Sequence, residues 1–179
     1  MIEGVRRRLA RRDLRAAADA RRPRPLPPDP HDRTLLLVLP DDEPGQRAAW
    51  DLVSGLRLPA RHVVPVLLGE RVRYVPDRFA GAVRVVGPEE RDWRRLPGRA
   101  ARQSVWTQRP DVALNLADPD DLGAALLVGA SPAALRIGRH RPDREPLYDL
   151  LIDGAADAAE AAVSLGHLLR QLDPPVLPV

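Results

Sequence analysis

From Arg33 onward, short apolar runs alternate with stretches whose apolar residues recur every three to four positions. Thr34–Leu39 is one continuous apolar run of strand length, the pattern expected of a strand buried on both faces. Pro40-Asp41-Asp42-Glu43-Pro44 reads as a turn into an acidic helix start with proline near the first helical position. Gln46–Leu56 then gathers Ala49, Trp50, Val53 and Leu56 on one helical face. Arg61–Leu68 and Ala82–Val86 are further strands, with a short hairpin expected around Gly69–Val75. Glu89–Gln108 is irregular and arginine-rich, with a helix predicted from Arg99 to Thr107. A strand at Asp111–Leu116, a helix at Asp120–Gly129, strands at Leu135–Ile137 and Leu147–Ile152, and an amphipathic helix at Ala155–Leu172 complete the series. Repeated strand–helix units predict an α/β domain: a three-layer, open, mostly parallel sheet in the flavodoxin-like or half-Rossmann style.

The segment before this domain is of another kind. Residues 1–20 read as a helix in which Ile2, Val5, Leu9 and Ala16 form a thin apolar stripe among arginines. Such a helix gains little by burial alone, so it is expected to be a mobile arm unless a partner surface holds it. Residues 21–32 carry five prolines in twelve positions, an extended linker in which helix cannot persist. The α/β domain spans 33–173, and 174–179 is a proline-rich tail expected to be loose.

Charge sharpens this division. All 28 basic side chains are arginine, so lysine Schiff bases and phosphate-loop lysines are excluded. Met1–Pro25 hold nine arginines against three acids, a net charge of +6, whereas the remaining 154 residues hold 19 arginines against 22 acids, a net of −3. A basic arm is thus joined to a slightly acidic body. There is no cysteine, which excludes disulfides, zinc–thiolate centres, iron–sulfur clusters and thiol catalysis. No apolar run approaches membrane-spanning length and no apolar stretch follows Arg6–Arg8 as a signal peptide requires, so a cytoplasmic location without stable membrane association is expected.

Two sets of residues carry candidate chemistry. In open parallel sheets ligands bind beyond the carboxyl ends of the strands, where the strand order reverses. Asp41 and Asp42 follow the first strand, and Asn115, Asp118, Asp120 and Asp121 lie at or just beyond the fourth. With Arg139 after the fifth strand, Asp41, Asp42, Asn115 and Asp118 outline a possible-ligand crevice for a phosphorylated or nucleotide-sugar molecule. Clustered oxygen ligands suit magnesium, but these acids read better as helix N-caps, so no metal site and no cofactor are assigned. The paired acids are similar to those of a phosphoacceptor receiver domain, although the lysine and the aspartate ending the third strand are missing. No glycine fingerprint for a dinucleotide follows a strand. The second set is basic: Arg6, Arg7, Arg8, Arg11, Arg12 and Arg15 in the arm, with a further concentration at Arg91-Asp92-Trp93-Arg94-Arg95 and from Arg99 to Arg109, which includes Trp93 and Trp106. Arginine beside tryptophan can contact phosphates and stack on bases.

Arg109-Pro-Asp-Val-Ala-Leu-Asn-Leu-Ala-Asp, Leu135-Arg-Ile-Gly-Arg-His and Tyr148-Asp-Leu-Leu-Ile-Asp153, with the basic helix before the first strand, resemble an uncharacterised bacterial family. That family is known mainly from Bacteroidota and is described only as a domain of unknown function. The resemblance covers about Arg33 to Leu172 and implies the fold without implying an activity. Over about Arg109 to His140 the chain also resembles the amino-terminal half of heptosyltransferase-type glycosyltransferases, where a similar strand–helix–strand ends in Arg-Ile-Gly. The charge-segregated arm points to a non-enzymatic accessory protein associated with RNA or the ribosome, its six arginines on phosphates. The alternative is an enzyme or binder acting at the crevice.

Overall fold

The computed structural model describes residues 2–20, 24–70 and 72–172. In chain order the elements are helix α1 (Ile2–Asp19), strand β1 (Leu35–Leu39), helix α2 (Glu43–Gly55), strands β2 (Val63–Leu67) and β3 (Arg84–Val85), helix α3 (Arg99–Trp106), strand β4 (Val112–Asn115), helix α4 (Leu122–Gly129), strands β5 (Leu135–Arg139) and β6 (Leu150–Ile152), and helix α5 (Ala158–Leu172). The strands form one sheet in the order β3-β2-β1-β4-β5-β6, and every neighbouring pair is parallel. The chain therefore works outward from β1 in one direction and from β4 in the other. This is a Rossmann-like α/β fold, and the switch point lies between β1 and β4.

Side-chain alternation divides β1 between two layers. Leu35, Leu37 and Leu39 join α2 and α5 in one apolar cluster with Trp50, Val53 and Leu165. Leu36 and Val38 join α1, α3 and α4 on the other face, with Val105, Leu126 and Leu127. All five β1 residues are buried, as a strand covered on both faces requires.

Helix α1 belongs to this core. Helix α4, Leu-Gly-Ala-Ala-Leu-Leu-Val-Gly, is apolar around its whole circumference and needs cover on the side away from the sheet. The connection between β5 and β6 contains only the 3₁₀ turn Glu145–Leu147, with no helix of its own. Helix α1 lies against both α4 and this turn. Ala10 and Leu14 are buried in the same cluster as Leu126 and Leu147, with Ala17 and Ala18 partly buried beside them. Small side chains let two helix backbones approach closely, so the alanine face is buried, whereas Val5, expected in the apolar stripe, is 52% exposed. Ion pairs fix the packing at two points: Arg94 to Asp13 at 2.6 Å and Arg11 to Asp143 at 3.2 Å. The described part of the linker is also tied down, since Arg24 bridges to Asp111 at 2.5 Å and to the Pro110 carbonyl at 3.1 Å.

The elements otherwise follow the sequence pattern, but the expected strand 82–86 shrinks to Arg84–Val85, Leu147 of the expected strand 147–152 lies in the 3₁₀ turn, and a third departure concerns 69–75. No hairpin forms among the described residues of 69–75. Instead the side-chain carbonyl of Gln46, buried in α2, accepts hydrogen bonds from the backbone N–H groups of Arg73 (3.0 Å) and Tyr74 (2.9 Å). A side chain thus satisfies donors that a partner strand would otherwise take. The tail at 174–179 lies outside the described residues.

Because Leu14 is buried and Val5 is not, the two positions should respond differently to truncation. Leu14→Ala should destabilise the protein by about 2–4 kcal/mol, and Val5→Ala should cost less than about 0.5 kcal/mol. Urea denaturation followed by circular dichroism checks both.

Candidate functional sites at the sheet edge and along the basic helix

A cavity of about 660 Å³ opens at the carboxyl end of the sheet, beside the switch point. Asp41, Asp42, Asp118 and Arg139 line it, so four of the five residues expected in a crevice come together. Asn115 does not line it. As the last residue of β4 it is 3% exposed, donates through Nδ2 to the Tyr148 hydroxyl at 2.8 Å and accepts from the Ala117 N–H at 3.1 Å. Gly138 on β5 lets the Tyr148 ring lie across the strand: a Cβ there would stand 2.5–2.8 Å from three ring atoms. Asn115 therefore braces the floor beneath the loops. Burial pushes the Tyr148 phenol up, opposed by the Asn115 hydrogen bond and by nearby Arg144.

The carboxylates at the rim are largely engaged by backbone. Asp42 caps α2 by accepting from the Gly45 N–H at 2.7 Å. Asp121 caps α4 through the N–H groups of Gly123 (2.7 Å) and Ala124 (3.1 Å). Asp157, which also lines the cavity, accepts from Glu160 N–H at 2.9 Å, and Glu160 in turn accepts from Ala156 N–H at 2.8 Å. Asp118 accepts from the Asp120 N–H at 2.7 Å. The cap reading thus holds for Asp42, and no group of three or more acids or histidines among the described residues is arranged to hold a metal ion. The two guanidinium groups of the cavity wall reach backbone: Arg73 Nε donates to the Asp41 carbonyl at 2.7 Å, and Arg139 to those of Ala155 and Ala156 at 3.1 and 3.2 Å.

Sequence reasoning did not single out Arg73, Asp157 or Arg144 for this region. Arg144 is buried, and its guanidinium donates to the carbonyls of Pro119 and Asp120, which locks the loop between β4 and α4. Nothing in a stretch such as Arg-Pro-Asp-Arg-Glu-Pro marks which arginine turns inward.

The second locus is basic. A cleft of about 250 Å³ between α1, the 91–95 loop and the start of α4 is lined by Arg6, Arg7, Arg91, Arg94 and Arg95, together with Asp120 and Asp121. The structure thus brings part of each basic concentration together, Arg6 and Arg7 of the first with Arg91, Arg94 and Arg95 of the second. Asp92 organises the loop: its carboxylate accepts from the N–H groups of Arg94 (2.8 Å) and Leu96 (3.1 Å) and pairs with the Arg94 guanidinium at 2.7 Å. This turn holds Arg95 at φ 64°, a left-handed conformation that arginine rarely adopts. Trp93, in the same loop, is 62% exposed. Along α1, Arg8, Arg12 and Arg15 are exposed and form no ion pair or hydrogen bond among the described residues. They follow the spacing i, i+4, i+7, as do buried Ala10 and Leu14 and half-buried Ala17, displaced by two residues. Two residues turn a helix by about 200°, so the arginine stripe faces away from the buried one. Arg11 is exposed too but is held by Asp143.

No described helix is long and apolar enough to cross a membrane. In comparisons with known proteins, no family profile, no curated protein and no solved structure matches the chain.

His140, just beyond β5, gives the sheet edge a pH-dependent element. Its Nε2 meets Glu145 at 2.9 Å and its Nδ1 meets Asp153 at 3.3 Å. The hydrogen bond to Glu145 is the main cause raising its pKa above the ordinary 6.5, with the Asp153 charge adding to it. The folded-state pKa being the higher one, this pairing supports the fold fully below the unfolded value of 6.5 and is lost as pH rises through the folded value. An NMR titration should place the His140 midpoint above 6.5. Glu145→Gln should bring it back down.

Proposed function

We propose that this protein binds single-stranded RNA as an accessory factor, with ribosomal RNA the principal candidate, through the basic surface of α1 and the 91–95 loop. The observation that carries the reading is the meeting of Arg6 and Arg7 with Arg91, Arg94 and Arg95 around one cleft, beside an exposed tryptophan. Arginine forks recognise phosphate oxygens, and an exposed indole offers a stacking platform to an unpaired base. Arg8, Arg12 and Arg15 extend the positive surface along α1 by roughly 10 Å, at 1.5 Å of rise per residue. Duplex nucleic acid keeps its bases stacked and would leave Trp93 unused.

Deleting the arm would be a poor test, since α1 covers α4 and the deletion would expose core. Surface substitutions test the reading better. With about six phosphate contacts, the log–log dependence of affinity on salt for a single-stranded RNA oligomer should have a slope near −4. Arg8→Gln/Arg12→Gln/Arg15→Gln should reduce that slope by about 2. Trp93→Ala should weaken binding by about 1–3 kcal/mol with the slope unchanged. Fluorescence anisotropy from 50 to 200 mM salt reads all three. A triple variant with the affinity and slope of the wild type would sink the proposal.

The crevice supports a second reading, because Asp41, Asp42, Asp118 and Arg139 do surround one cavity. The helix N-termini there are already capped by the protein's own carboxylates, so the wall favours hydroxyl groups over phosphates. A ligand rich in hydroxyl groups and without a phosphate, such as a free sugar or a nucleoside, would place its hydroxyls on Asp41 and Asp118. A thermal-shift series of sugars and nucleosides should then find one that raises the melting temperature of the wild type but not of Asp118→Asn. No shift across the series removes this reading.

A further inference from the structure

A third cavity, of about 890 Å³, lies between α1, α3 and the end of α4, away from both loci above. We propose that it is a binding site for a small anionic amphiphile, a carboxylate head carrying an apolar body. The proposal is independent of the RNA reading.

Its walls are mostly apolar: Ala16 and Ala17 of α1, Leu126 of α4 and Trp106 at the end of α3. Arg24, Arg102 and Arg136 supply the positive charge. The Arg102 guanidinium stands over the Trp106 ring, 5.6 Å from its centroid, and donates no hydrogen bond among the described residues. Its Nε is buried and has no acceptor. Arg24 spends one terminal nitrogen on Asp111 and Pro110, while its Nε is likewise buried without an acceptor. Arg136, which also lines the cavity, donates to the Gly129 carbonyl, and its Nε is likewise buried without an acceptor among the described residues.

The terminal nitrogens of Arg102 are not buried and donate to no described residue, so they are the donors a ligand can reach, and an arginine fork binds a carboxylate through two parallel hydrogen bonds. The acids nearby do not serve. Asp13, also in the wall, is paired with Arg94, and Asp111 with Arg24. The volume lies in the range of about 300–1,000 Å³ usual for small-molecule sites, which combine apolar walls with a few polar groups. A carboxylate would accept from Arg102 and Arg24, and its apolar body would lie on the alanine face of α1 and the Trp106 ring.

Isothermal titration of the full-length protein with decanoate, below its micellar range, tests this. The expected result is saturable one-to-one binding, at least about tenfold weaker for decanol, which has the chain but no charge. Arg102→Gln should weaken decanoate by a similar factor, and Ala16→Phe, which fills the cavity from a solvent-accessible position on α1, should abolish it. Melting curves of both variants establish that they are folded, and should Arg102→Gln fail to fold, Ala16→Phe decides. Absence of saturable heat overturns the proposal. So does equal binding of decanol and decanoate, or wild-type affinity in Ala16→Phe.

Discussion

Burial of β1 on both of its faces governs the rest of the structure. Leu35, Leu37 and Leu39 look one way and Leu36 and Val38 the other, so each face of the sheet needs a layer of helix. On one side α2 and α5 supply it. On the other, α3 and α4 leave α4 itself apolar on its outer side, and the β5–β6 connection contributes only a 3₁₀ turn. Helix α1 completes that layer. Burying one leucine and a row of alanines is a modest gain, with a fully buried leucine worth about 1.5–3 kcal/mol. The partner surface would otherwise expose Leu126 and Leu147, which doubles the reason for the helix to dock.

Docking also fixes the electrostatics. Once Ala10, Leu14 and Ala17 face α4, helical geometry leaves Arg8, Arg12 and Arg15 no direction but outward. The pair between Arg94 and Asp13 then brings the 91–95 loop beside the amino end of the helix, which assembles the basic cleft. A free helix would carry the same charge as a diffuse cloud. A docked one presents it as a surface of fixed shape, with less ordering left to do when a partner arrives.

Much of the fold was legible in the sequence because its signals are local. Continuous apolar runs marked the buried strands, and Pro-Asp-Asp-Glu-Pro marked the start of α2 with Asp42 as its cap. The charge division of the chain was equally plain, yet it suggested a separate arm. The sequence carried the spacing that turns Ala10, Leu14 and Ala17 inward, but alanine is too weakly hydrophobic to outweigh Val5 and Leu9 when no partner is in view. What was illegible depends on contacts distant along the chain. Gln46 satisfying the backbone at 73–74 displaced the expected hairpin, and Asn115 turned toward Tyr148, thirty-three positions away, and so left the crevice wall. Among arginines so numerous, only the fold distinguishes Arg144, which binds carbonyls inside, from Arg141 on the surface beside Asp120.

The crevice and the basic cleft meet at Asp121, which lines both, and they divide the chemistry of charge between them. In dinucleotide-binding sheets a glycine-rich turn after the first strand lets a pyrophosphate reach the bare amino end of a helix. Here that turn is Pro40-Asp41-Asp42-Glu43, and Asp42 already occupies the N–H group such an anion would seek. Asp121 and Asp157 stand in the same relation to α4 and α5. Each carboxylate stabilises its helix and repels a phosphate, so the site that binds anions in such sheets is closed to them by its own caps. Positive charge in excess of local acids instead accumulates where α1 crosses α4 and the 91–95 loop. Positive charge thus gathers on the helix layer rather than at the capped helix starts of the crevice, and α1 is what brings it there.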